Sequence, residues 1–279
     1  MIERTLISAE SLRLLLASGK PCVLLDCGFD LTDPGAGARA FAQGHLPGAR
    51  RADLDHDLSA AKNGRNGRHP LPSREVFAAT VARWGVRPDV AVVCYDDQGG
   101  PYAARAWWML RWLGHDPVAV LDGGRAAWLA AGGSLETSAP PELDAAPPYP
   151  LPPATMPTVD AQRLLPLLGK VTVVDARSGE RFRGEVEPLD PVAGRIPGAR
   201  NRFHKDNLQP DGRFRSPAEL RAAFEPFGEP TGCVHQCGSG VTACHNLLAM
   251  EHAGLTGSAL YPGSWSEWCA DPARPIARG

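Results

Sequence analysis

The eight residues CGSGVTAC, positions 237–244, bring together what a sulfur nucleophile needs. Cys237 follows the apolar pair Cys233-Val234 and leads into the helix-like stretch HNLLAMEHAG. Gly238 and Gly240 allow a tight curl in which successive backbone N–H groups turn toward the sulfur, and the positive end of a helix adds to their field. Such surroundings favour the thiolate, which is the form of cysteine that attacks. A loop-bound thiolate serves either phosphoryl transfer or attack on another sulfur. Phosphoryl transfer needs an arginine clamp, as in HCxxGxxR, but the sixth position after Cys237 is Ala243 and no arginine occurs from 237 to 250. Attack on sulfur, giving a persulfide held by the same N–H groups, suits the loop better.

The other cysteines read differently. Seven cysteines, an odd number at irregular spacing, do not form a disulfide framework, and no CxxC or HxxxH pair offers a zinc site. Cys22, Cys27 and Cys94 lie in apolar strand-like runs and read as packing residues. Cys244 reads as a small helix residue packed on a sheet rather than as a resolving thiol, and Cys269 lies in no motif. No window approaches the roughly 18 apolar residues of a membrane span. The N-terminus MIERTLISAE lacks the basic start and apolar run of a signal peptide. These features predict a cytoplasmic protein. With a net charge of -2, neither nucleic acid nor a membrane surface is expected as a partner.

The elements that must position Cys237 occur twice. SAESLRLLLAS, with Ser8 as a cap, leads to the strand-like CVLLD ending at Asp26; TVDAQRLLPLL leads to VTVVD ending at Asp175. HLPGAR (45–50) matches RIPGAR (195–200), and LPSREVFAATVARWG matches RSPAELRAAFEPFG, each a proline turn opening an amphipathic helix. VAVVCYD (90–96) matches GCVHQC (232–237), and LDGGRAAW (121–128) matches LYPGSWSEW (260–268). On this register Asp96 stands where Cys237 stands, so the thiol belongs to the second copy alone. Strands alternating with helices predict two tandem α/β domains, each a mainly parallel sheet with helices on both faces. The expected boundaries are 1–135 for the copy without the catalytic cysteine, 136–157 for a proline-rich linker and 158–279 for the catalytic copy.

The tandem layout, the HLPGA and IPGA turns, YAARAWWMLRWLGHDPVAVLDGG, ERFRGE, the CGSGVTAC loop and GSWSEW together resemble the two-domain rhodanese superfamily over nearly the whole chain. Within it, CGSGVTA is most similar to the loop of 3-mercaptopyruvate sulfurtransferases; thiosulfate sulfurtransferases carry an arginine and a lysine after the cysteine. The resemblance implies a rhodanese fold, a persulfide on Cys237 and no cofactor or metal. It also implies a small-molecule sulfur donor and a thiol acceptor such as a thioredoxin-like protein or a small dithiol, or cyanide.

Carried over by position, the resemblance places a Ser-His-Asp relay on Ser239, His69 and Asp55, with Asp53 and Asp57 competing for the acidic role. It places the donor-binding loop on Gly238, Gly240, Val241 and Thr242, and a carboxylate clamp on Arg181. A second arginine expected about nine residues after Arg181 is replaced by Asp190. That exchange reads as a loss of positive charge, which Arg183 or Arg195 could replace and which an arginine at 190 would be expected to reverse. The implied reaction is sulfur transfer from 3-mercaptopyruvate with release of pyruvate. Thiosulfate as donor, or a non-catalytic persulfide carrier or redox-sensing module, are the alternatives.

Overall fold

A computed structural model describes residues 4–140 and 147–279; residues 141–146, inside the expected linker, lie outside the described residues. The chain divides into two compact units. Unit 1 comprises Met1–Leu58, Pro72–Thr155 and Pro210–Phe214, and unit 2 comprises Ser59–Leu71, Met156–Gln209 and Arg215–Gly279. Each unit therefore borrows a short segment from the other half of the sequence, and the segment borrowed by unit 2 carries His69.

In unit 1 the strands are β1 (Leu6–Ile7), β2 (Cys22–Asp26), β3 (Arg50–Arg51), β4 (Ala91–Tyr95) and β5 (Val118–Leu121). They form one sheet in the order β1-β5-β4-β2-β3, and every pair is parallel. The helices are α1 (Ala9–Ala17), α2 (Ala36–Gln43), α3 (Arg74–Arg83), α4 (Pro101–Leu113) and α5 (Gly124–Ala130). Ser8 caps α1 by accepting the Ser11 N–H, and Ser73 caps α3 by accepting from Val76. All five residues of β4 are buried, as a central parallel strand requires when both faces are covered. Val93 and Tyr95 join the core shared with α1 and α5. Alternation along the strand sends Val92 and Cys94 to the opposite face.

Unit 2 repeats the plan with β6 (Thr172–Asp175), β7 (Arg200–Asn201), β8 (Cys233–Gln236) and β9 (Ala259–Leu260). The order is β7-β6-β8-β9, again parallel throughout. A parallel bridge from Thr158 to Leu260 stands where β1 pairs with β5 in unit 1. The helices are α6 (Ala161–Leu164), α7 (Gly179–Arg183), α8 (Pro217–Phe224), α9 (Thr242–His252) and α10 (Ser264–Trp268). α8 opens on a full capping box, with Ser216 accepting from the Glu219 N–H and Glu219 accepting from the Ser216 N–H. Val173 and Val234 face a core with Leu164, Trp265 and Trp268. On the other face of β8, His235 lies under Phe224 of α8 with ring centroids 6.3 Å apart.

Candidate active site

Cys237 occupies the first position after β8, and α9 begins five residues later at Thr242, with Val241 as its N-cap. The crossover from a parallel strand to its helix puts backbone N–H groups and the positive helix end beside the strand terminus. The thiol is almost wholly withdrawn from solvent. Its Sγ accepts a hydrogen bond from the Gly240 N–H at 3.2 Å.

The two glycines act for different reasons. Gly240 has φ +78°, and a Cβ there would stand 2.2 Å from the Pro262 carbonyl oxygen, so both conformation and space demand glycine. At Gly238 the constraint is space alone: a Cβ would meet Arg68 Nη2 at 2.7 Å and Arg181 Nη2 at 3.4 Å. Two guanidinium groups thus flank the residue that follows Cys237.

α10 fastens the loop from beneath. Ser264 Oγ accepts the Cys237 N–H at 3.1 Å and donates to the Tyr261 carbonyl at 3.0 Å. The Trp265 and Ser266 N–H groups donate to the carbonyls of Cys237 and Gly238 at 3.0 and 2.9 Å. Ser264 holds φ 53°, a left-handed conformation that is unfavourable for a residue with a side chain and that its neighbours must maintain. Ser266 Oγ also accepts the Arg68 N–H at 3.0 Å. GSWSEW therefore fixes both the thiol loop and the segment bearing Arg68 and His69, a role the motif alone did not disclose.

Of the sequence-predicted relay, two members meet inside unit 2. His69 Nδ1 and Ser239 Oγ share a hydrogen bond of 2.7 Å, and both side chains are buried. Asp55 belongs to unit 1, where its backbone N–H donates to Asp53 Oδ1 at 2.9 Å. Its competitors are engaged locally: Asp53 pairs with Arg51 at 2.8 Å, and Asp57 accepts the Asp53 N–H and pairs with Arg83.

Around Arg181 runs a chain of alternating charge. Arg181 binds Glu187 through two contacts, Nη2 to Oε1 at 2.6 Å and Nε to Oε2 at 3.2 Å, and reaches Asp190 at 3.4 Å. Arg68 grips Asp190 in the same forked manner, at 2.9 and 3.1 Å. On the far side Arg177 binds Asp175 at 2.7 Å and Glu187 at 3.3 Å, and its guanidinium lies over the Trp265 ring at 4.9 Å. Burial works against the Arg177 charge, yet Asp175, Glu187 and the neighbouring Cys237 together hold its pKa above the ordinary arginine value. A permanent cation thus stands near the sulfur.

Asp190 consequently differs from its sequence reading as a simple loss of positive charge: it is the anchor of a second guanidinium. The residues considered as replacements lie elsewhere. Arg183 pairs with Glu185 at 2.7 Å, and Arg195 stacks on Phe182 at 4.7 Å. Arg68 sits beside His69 in GRHPLPS, and no local pattern marks it; its contact with Asp190 comes from 122 positions away.

In unit 1 the equivalent loop is filled by its own side chain. Asp96 Oδ1 accepts the N–H groups of Gln98 and Gly100 at 2.9 and 2.8 Å, and Oδ2 accepts those of Tyr102 and Ala103 at 2.9 and 3.0 Å. Burial pushes this carboxyl's pKa up, against the four N–H groups that pull it down. Burial raises Cys22 to about 12 and Cys269 to about 11, and raises Cys27 and Cys233 as well. Cys244 is buried, with its Sγ donating to the Gly240 carbonyl at 3.3 Å.

Two parallel α/β units of one topology, with a cysteine on the strand-to-helix loop of the second, define the class. The family model for the rhodanese-like domain matches residues 8–131 and again 160–271. The chain belongs to the rhodanese-like family. It is 48% identical over 286 residues, spanning 100% of both chains, to a Pseudomonas aeruginosa protein named "Probable 3-mercaptopyruvate sulfurtransferase". It is 38% identical to human 3-mercaptopyruvate sulfurtransferase, over 95% of this chain and 92% of the human one. A Mycobacterium tuberculosis protein provisionally named as a thiosulfate sulfurtransferase is 43% identical over 99% of this chain and 98% of its own. Among solved structures, 3-mercaptopyruvate sulfurtransferase from Leishmania major superposes with a TM-score of 0.84 at 33% identity, covering 95% of this chain and 74% of that one.

Proposed function

We propose that this enzyme is a sulfurtransferase that takes the sulfur of 3-mercaptopyruvate onto Cys237 and passes it to a thiol. The observation that carries this reading is the Cys237 loop: a thiol receiving an N–H at the start of α9, with small neutral residues at 238 and 239. The Cys237 thiolate attacks the donor's sulfur, an S–S bond forms and the C–S bond breaks. The bonding electrons pass to the donor carbon as the pyruvate enolate, which takes up a proton to become pyruvate. The persulfide's outer sulfur is then attacked by an acceptor thiolate, which leaves with that sulfur and restores the Cys237 thiolate.

Arg181 holds the donor carboxylate, while Gly238, Gly240, Val241 and Thr242 shape the wall around the outer sulfur. Ser239 and His69 deliver and remove the proton that the enolate step requires, with Asp55 retained as the relay's acid on the strength of the family resemblance. The acceptor is read as a thioredoxin-like protein or a small dithiol. No helix among the described residues is long and apolar enough to cross a membrane. All seven cysteines are free, as suits the reducing cytoplasm.

The test compares pyruvate release from mercaptopyruvate with sulfite release from thiosulfate, and locates the added 32 Da (about one sulfur atom) by mass spectrometry. Pyruvate release with the sulfur on Cys237, both lost in Cys237→Ser, is the expected result. Sulfite release alone would make thiosulfate the donor. Loading without turnover in excess dithiol would leave a persulfide carrier.

A further inference from the structure

Beyond α10 the chain closes around a cavity that the reaction above does not use. Ala270, Asp271, Pro272 and Arg274 line a space of about 290 Å³, and Arg65 completes the lining. All five residues belong to unit 2. Arg65 stands at the tip of the segment Ser59–Leu71, in a turn where Asn63 Oδ1 accepts the Arg65 N–H at 2.9 Å and Asn66 Oδ1 accepts the Asn63 N–H at 3.0 Å. Two residues on, Gly67 lies so close to the start of α10 that a Cβ would stand 2.8 Å from the Gly263 carbonyl oxygen. The turn is therefore set against α10. Ser266, which donates to the Gly238 carbonyl, precedes Ala270 of the cavity wall by only roughly 6 Å at the helical rise. The charges of the cavity do not cancel. Asp271 spends one oxygen on the Ala273 N–H at 3.0 Å and the other on Arg274 Nε at 3.5 Å. Arg274 also donates to the Glu267 carbonyl at 2.6 Å and lies 5.8 Å from the centre of the Trp268 ring. The exposed Arg65 side chain has no ion-pair or hydrogen-bond partner among the described residues. An uncompensated cation thus shares the cavity with an arginine that is already held in place.

We propose that this cavity is a docking point for a protein sulfur acceptor, receiving an aspartate or glutamate side chain whose carboxylate pairs with Arg65 and Arg274. Ligand pockets span roughly 300–1,000 Å³, so a space at the bottom of that range suits one side chain rather than a cofactor. A carboxylate answers the surplus positive charge and matches the guanidinium fork. Location decides the kind of partner. A protein whose thiol reaches Cys237 also covers the surface beyond α10, whereas a small neutral dithiol brings no charge to place there. The inference rests on the sulfurtransferase reading and selects the protein from its two acceptor types. Charges at the edge of an interface act mainly on encounter rate and its salt dependence, so Arg65 serves acceptor choice and not the chemistry at sulfur.

The experiment measures turnover of mercaptopyruvate with two acceptors, a reduced thioredoxin of acidic net charge and dithiothreitol, in wild type, Arg65→Glu and Arg65→Lys. Arg65→Glu should lower kcat/KM for thioredoxin by about tenfold, chiefly through KM, and leave the values for dithiothreitol and mercaptopyruvate within about 2-fold. Turnover with dithiothreitol also shows that the variant is folded. Arg65→Lys keeps the charge and should lose far less. Raising salt from about 0.05 to about 0.3 M should slow wild type with thioredoxin and leave Arg65→Glu nearly unchanged. Equal losses with both acceptors, no loss with thioredoxin, or a loss in Arg65→Lys as large as in Arg65→Glu would overturn the proposal. If wild type uses thiosulfate and not mercaptopyruvate, the donor assignment fails and the same acceptor comparison, run with thiosulfate, decides docking by the same outcomes. If neither donor turns over, the sulfurtransferase reading fails, and direct titration with the reduced thioredoxin decides: a weaker Kd in Arg65→Glu supports docking, and an unchanged Kd refutes it.

Discussion

His69 Nδ1 lies 2.7 Å from Ser239 Oγ, joining a histidine of the segment Ser59–Leu71 to the second residue after Cys237. Neither side chain sees appreciable solvent, and such low-dielectric surroundings strengthen the hydrogen bond between them. If the two act as one proton-handling unit, removing either should cost about as much as removing both. His69→Gln and Ser239→Ala are each expected to lower kcat by about 100-fold, within the usual range for general acid–base groups. The double variant should be little worse, and persulfide on Cys237 should still form slowly. Additive losses in a steady-state double-mutant cycle would show that the groups work separately.

Gly238 and Gly240 should respond differently to alanine. At 238 the added methyl group meets the end of the Arg68 side chain, which can move. Gly238→Ala should therefore keep its fold and raise KM for an anionic donor by about 5-fold. At 240 the methyl group meets the Pro262 carbonyl and the backbone has positive φ. Gly240→Ala should abolish turnover and lower stability by roughly 2 kcal/mol or more. Thermal denaturation alongside donor kinetics separates the two cases.

Asp190→Arg should impair the enzyme, the reverse of the expectation from motif comparison. The introduced guanidinium would lie against those of Arg68 and Arg181, in a position whose native side chain is 2% exposed. A like charge without solvent costs several kcal/mol, and the clamp would splay. A fall of at least about tenfold in kcat/KM is expected. Improved use of mercaptopyruvate would show that Arg68 leaves the site freely.

Asp96 holds four N–H groups inside unit 1. Asp96→Ala leaves these donors buried and unpaired, and should destabilise the protein by about 3 kcal/mol. The effect belongs to unit 1, so at temperatures where the variant is folded its donor KM should match wild type. Denaturant unfolding and kinetics at low temperature check both halves of the statement.

Acid should destabilise the fold through buried histidines. Burial lowers the pKa of His235 from 6.5 to about 3, and those of His204 and His115 to about 4. The unfolded chain binds protons below about pH 6.5 that the folded chain refuses, so stability falls as pH drops from 6.5 toward the folded values. Between pH 7 and pH 5 His235 should cost about 2 kcal/mol. The His235 ring nitrogens have no hydrogen-bond partner among the described residues, so His235→Leu removes the titration without orphaning a described neighbour. Its melting temperature should vary less steeply with pH than that of wild type over this interval; an equal slope would place the acid sensitivity elsewhere.

Cys237, its loop and the doubled strand–helix order are local patterns, which is why residue order discloses them. Glycines around a thiol, a serine before a helix, and apolar runs ending at Asp26, Asp175 and Cys237 depend on neighbours a few positions away. The capping serines Ser8, Ser73 and Ser216 stand where the sequence predicts helix starts. The family resemblance brought His69 and Ser239 into view together, although they are 170 positions apart. The meaning of Asp190 was hidden for a physical reason. A carboxylate in place of an arginine looks like lost positive charge, unless a second arginine closes on it from 122 positions away. The same limit concealed Ser264, whose strained φ and bond to the Cys237 N–H arise where α10 packs beneath the loop. Local order can state which groups a site contains, but their charges and strains acquire a sign only when folding sets one group against another.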